Sequence, residues 1–108
     1  MGTAIDRKVY LISSHSVNSS FMGTRDRALK MRNEIEALLR QGQDVEINFS
    51  NVAVSQSFAD ELIGVLLLKN GPDILNKLVF KDCSESVKAA IEFVVADRYD
   101  QFVKTKAH

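Results

Sequence analysis

The chain has 108 residues, 45% hydrophobic and 26% charged, with 14 basic side chains against 14 acidic ones. This is the composition of one globular domain, able to bury roughly two-thirds of the surface its unfolded form exposes, and a formal charge of zero argues against nucleic acid as a partner. The lone cysteine, Cys83, excludes an internal disulfide. With no bilayer-length apolar run and no charged-then-apolar leader, the sequence reads as cytoplasmic and without membrane contact.

In chain order, residues 8–12 (KVYLI) read as a first strand, and the Ser- and Asn-rich run over 13–20 as the loop after it. From Thr24, the stretch TRDRALKMRNEIEALLRQG sets Ala28, Met31, Ile35, Leu38 and Leu39 at helical spacing, with Gly42 placed to end the helix. Residues 45–49 alternate apolar and polar and predict a half-buried strand. A second helix is predicted over 58–69, with Ser57 as its N-cap and Asp60 three residues on as in a capping box. Asn70-Gly71-Pro72 stops it. Residues 77–80 (KLVF) read as a third strand. Ser84 is placed to cap a last helix, on which Val87, Ala90, Ile91, Val94 and Val95 form an apolar stripe fading after Tyr99. The order β-α-β-α-β-α predicts an α/β fold with a mixed or mostly parallel sheet and helices packed against it. The whole of 1–108 reads as a single domain with flexible ends at about 1–6 and 104–108.

The chemistry inventory is short. His15 and His108 are the only histidines, one in the polar loop and one at the terminus, so no metal site is expected. Neither a phosphate loop nor a paired-glycine dinucleotide fingerprint follows the first strand, and no cofactor is expected. Cys83, at the end of the third strand, reads as packing rather than as a nucleophile, since no histidine is spaced to activate it. The chain is therefore not expected to be an enzyme.

Two features remain. Ser55, Gln56 and Ser57 form a polar turn opening the second helix. Capping alone explains Ser57, at about 1 kcal/mol, while Asp60 and Glu61 suit the positive end of the helix dipole. The functional reading makes Ser57 a switch, because a phosphoryl group there adds about two negative charges beside Asp60 and Glu61. Separately, Arg25 and Arg27 lie in the first turn of the first helix, where cations oppose the dipole. An ordinary solvated face, with Asp26 and Glu34 as offsets, explains them. The functional alternative is a small-ligand or phosphate site formed by His15, Asn18, Arg25 and Arg27.

The segment INFSNVAVSQSFADELIGVLL resembles the strand, turn and helix of STAS domains, the fold of the anti-sigma-factor antagonists, whose turn reads Asp-Ser-Ser-Gly. Here Gln56, Ser57, Phe58 and Ala59 stand in those four places, so only the serine survives. Ser57-Phe58-Ala59-Asp60-Glu61-Leu62 is closer still to a divergent STAS-like family of unknown function, in which a Phe-Ala-Asp-Glu signature opens the same helix. The likeness extends from about Ser19 to Tyr99. It implies a non-enzymatic regulatory module that binds a protein partner, in the STAS case a kinase-like ATPase that phosphorylates the serine. On this reading Ser57 is the candidate phosphoacceptor, and Ser55, Gln56, Ser57, Phe58, Asp60 and Glu61 form the partner surface, with Phe58 exposed. Residues 1–6 are too few for the additional N-terminal strand of ordinary STAS domains. That leaves a strand edge for a partner or a second copy to pair.

Overall fold

A computed structural model describes residues 7–15, 21–22 and 24–106. Three parallel strands, β1 (Arg7–Leu11), β3 (Asp44–Asn48) and β5 (Leu78–Lys81), lie in the order β1-β3-β5. Each is displaced by one residue from its expected span. Successive crossovers therefore step in one direction across the sheet, and right-handed crossovers of that kind place their helices on a common face. The register agrees: Tyr10 pairs with Ile47 and Val45 with Leu78, and all four are buried. On the opposite face Val9 and Leu11 are exposed and Arg7 pairs with Glu46 at 3.5 Å.

The helix α1 (Arg25–Arg40) is capped by Thr24, whose side chain accepts from the Arg27 N–H at 3.4 Å. Ala28, Met31 and Ile35 are buried, as the spacing predicts. The end at Gly42, φ 84°, is a Schellman motif: the Gly42 N–H reaches the Leu39 carbonyl at 3.0 Å and the Gln43 N–H the Leu38 carbonyl at 3.2 Å. Tyr10, packed under α1, donates its hydroxyl to Glu34. Burial first, and then the Glu34 carboxylate, push that hydroxyl far above its ordinary pKa.

A central helical run follows over 56–70, in three parts: α2 (Gln56–Ala59), a π-helical turn (Asp60–Gly64) and α3 (Val65–Asn70). In the middle turn the Val65 N–H bonds the Asp60 carbonyl, a one-residue bulge that helical periodicity does not announce. The run ends at Gly71, φ 87°, and Pro72 opens a 3₁₀ turn, Pro72–Lys77. Last comes α4 (Glu85–Lys106), capped by Ser84, whose Oγ accepts from the Val87 N–H at 3.2 Å. This helix runs beyond Tyr99, and residues 104–106 belong to it. Phe102 is half-buried and lies next to Gly71, where an added Cβ would sit 3.5 Å from its ring.

A second pairing was not expected from the sequence. Strands β2 (Phe21–Met22) and β4 (Ala53–Val54) are two residues each and parallel. One leads into α1 and the other into α2, so the pairing sets the two helix starts side by side. No helix among the described residues is long and apolar enough to cross a membrane.

Candidate interaction site at the start of the central run

The central run starts two residues earlier than the sequence expectation. Ser55 is the N-cap: its backbone is extended (φ −79°, ψ 162°) and its Oγ accepts from the Phe58 N–H at 3.0 Å. Ser57 is not the cap. It lies in the first helical turn, exposed. The correction has a packing cause: with the helix starting at Gln56, Phe58 enters the core at 0% exposure beside Ala59, Leu62 and Ile63. Phe58 is therefore a core residue and not the exposed contact the turn suggested.

Asp60 and Glu61 are likewise committed inside the molecule. Arg98 of α4 grips Asp60 through two hydrogen bonds, Nε to Oδ1 at 2.8 Å and Nη2 to Oδ2 at 2.6 Å. From α1, Arg25 reaches Asp60 at 3.5 Å and Glu61 at 3.4 Å. The buried Arg32 donates to the Glu61 carboxylate and, at 3.2 Å, to its backbone carbonyl. Glu36, also buried, completes the line with Lys69 at 3.4 Å. The Arg98 hydrogen bonds, outweighing the opposing effect of burial, hold the Asp60 carboxyl below its usual pKa, and the same contact raises that of Arg98. Gly64 makes this grip possible, because a Cβ there would stand 2.5 Å from Asp60 Oδ1 and 2.8 Å from Arg98 Cγ.

What remains at the surface is a cleft of about 190 Å³ lined by Arg25, Gln56, Ser57, Asp60, Phe93, Val94 and Asp97. The β2–β4 pairing explains Arg25, the first residue of α1, in this place. The aromatic of the cleft is Phe93, 57% exposed. Sequence reasoning missed Phe93, Asp97 and Arg98 because α4 reaches the site only through tertiary packing. The i, i+4 pair Arg32 and Glu36 was the one visible trace of the ionic line.

Arg25 spends its charge on Asp60 and Glu61. Arg27 is exposed on α1, His15 belongs to the 3₁₀ turn Ile12–His15, and Asn18 lies outside the described residues. Cys83, half-buried, lines a separate cleft of about 520 Å³ with Phe80, Asp82, Lys88, Ile91 and Glu92, and burial raises its thiol pKa, which disfavours the nucleophilic thiolate. Among the described residues no group of three metal-ligating side chains converges.

The family model described as STAS-like domain of unknown function (DUF4325) matches residues 28–88, more than half of the chain. The chain belongs to this STAS-like family. The match includes the Phe58-Ala59-Asp60-Glu61 signature and stops before most of α4, ahead of Phe93 and Arg98. No curated protein and no solved structure matches.

Proposed function

We propose that this STAS-like chain is a cytoplasmic, non-enzymatic regulatory module that binds a protein partner over the Ser57 cleft, with phosphorylation of Ser57 ending the interaction. One observation carries the reading: Ser57, relieved of capping by Ser55, is exposed on a cleft walled by Phe93. A half-exposed aromatic beside polar groups is the composition of a contact centre. A phosphoryl group on Ser57 adds about two negative charges next to Asp60 and Asp97, which opposes an acidic or apolar partner surface. By likeness to STAS domains, the partner is a kinase-like ATPase. The partner surface is Ser57, Gln56, Phe93 and Asp97, with Phe58 removed to the core and Asp60 and Glu61 serving mainly as supports.

The test captures partners from native extract on wild-type protein, Ser57→Glu and Phe93→Ala, with circular dichroism as the fold control. A kinase-like ATPase retained by wild type and lost with both variants supports the reading. Equal retention by Ser57→Glu overturns the switch, and equal retention by Phe93→Ala overturns the cleft as the contact.

A further inference from the structure

The helix α4 is apolar on two opposite sides. Its inner side buries Val87, Ile91 and Val94. Its outer side carries Ala89, Phe93, Ala96, Asp100 and Val103, all exposed, with Phe93 57% and Val103 43% accessible and Tyr99 alongside. The outer residues are spaced four, three, four and three apart, the spacing of a coiled-coil seam. The whole of this seam lies beyond residue 88, where the family-model match ends.

We propose that the seam is a homodimer interface in which α4 packs antiparallel against α4 of a second copy. Charge selects both the occupant and the register. When Phe93 meets Val103 of the second copy and Ala96 meets its Asp100, the flanking Asp97 of each chain faces Lys104 of the other, twice by symmetry, and the two Tyr99 rings meet at the two-fold axis. Sliding by one heptad in one direction sets Asp97 against Asp97, and in the other Lys104 against Lys104. Like charges in those places disfavour both alternatives. Within each chain Lys104 lies 3.0 Å from Asp100, so it neutralises the one polar residue of the seam while it faces Asp97 of the neighbour. A single polar seam position that fixes register at some cost in affinity is a known device of such interfaces. The β1 edge is the competing surface for a second copy, but it presents Arg7 and Lys8, both exposed, and basic side chains on an edge strand oppose further pairing.

The oligomeric state decides it, measured by sedimentation equilibrium over a wide concentration range, with circular dichroism confirming that each variant is folded. The expected result is a dimer that Val103→Lys and Asp97→Lys each weaken about tenfold or more. A wild type that stays monomeric overturns the proposal. So does a dimer indifferent to Val103→Lys, and loss of that dimer in Val9→Lys would then assign the interface to the β1 edge. Phe93 and Asp97 belong to both the seam and the Ser57 cleft, so the dimer and a bound partner compete. Val103 lies outside the cleft, and Val103→Lys should weaken the dimer while leaving partner capture intact, which separates this outcome from that of the Ser57 reading.

Discussion

Gln56 and Ser57 occupy the first turn of the central run and Asp60 and Glu61 the next, yet the two turns do opposite work. The first faces water and carries no tertiary ion pair. The second is tied to α1 through Arg25 and Arg32 and to α4 through Arg98. A π-helical turn begins at the boundary between them. Polar residues adjacent in sequence thus divide into a solvent-exposed surface and a clasp that joins the three helices carrying that surface. A partner site built on a helix start needs such a clasp, because the cleft has one wall on α1, one on the central run and one on α4.

The sharpest way to break the comparison is to break the clasp. Asp60→Asn leaves Arg98 without its anionic partner, and we expect a loss of about 2 kcal/mol, between the values for an exposed and a buried pair because both side chains are part exposed. The pH dependence follows from the lowered Asp60 pKa. An ionised Asp60 stabilises the fold fully above the ordinary carboxylate value of about 4, and that contribution is lost as the pH falls from there through the lowered native value. Urea melts of wild type and Asp60→Asn should therefore converge below about pH 4. Curves that remain parallel there would assign the acid sensitivity to other carboxylates.

A smaller effect is expected at Gly64. Alanine in mid-helix ordinarily stabilises by up to about 1 kcal/mol relative to glycine, but here its Cβ collides with Asp60 and Arg98. Gly64→Ala should instead cost about 1–2 kcal/mol through overpacking. In an Asp60→Ala background the closest clash disappears while that with Arg98 Cγ remains, so the cost should shrink. Additive effects in this double-mutant cycle would show that Gly64 and the clasp are independent.

These residues also mark how far the sequence could be read. The three parallel strands and their helices were legible because apolar spacing in residues such as Ala28, Met31 and Ile35 is a local signal. Gly42, Gly71 and Ser84 were legible as punctuation for the same reason. The N-cap was misread because Ser55 and Ser57 have equal intrinsic capacity to cap, and the choice between them goes with the burial of Phe58 in a helix that starts two residues earlier. The π-helical turn was invisible because one inserted residue leaves Leu62, Ile63 and Leu66 at spacings that an α-helix also allows. Arg98 was invisible because its partner lies in a different helix, and nothing local to either residue announces the other.

The smallest expected effect is also the finest test of the division at this helix start. Ser55→Ala removes the acceptor of the Phe58 N–H and should cost about 1 kcal/mol. Ser57→Ala removes no cap and places a better helix former on an exposed first turn, so its stability should stay within about 0.5 kcal/mol of wild type. Denaturant midpoints for the two variants measure this directly, and the reverse order would return the cap to Ser57. The expected order has a functional consequence. A serine whose side chain carries no stabilising hydrogen bond within its own helix can be modified without unfolding it, so any loss of partner binding on phosphorylation at Ser57 would act at the surface and not through the fold.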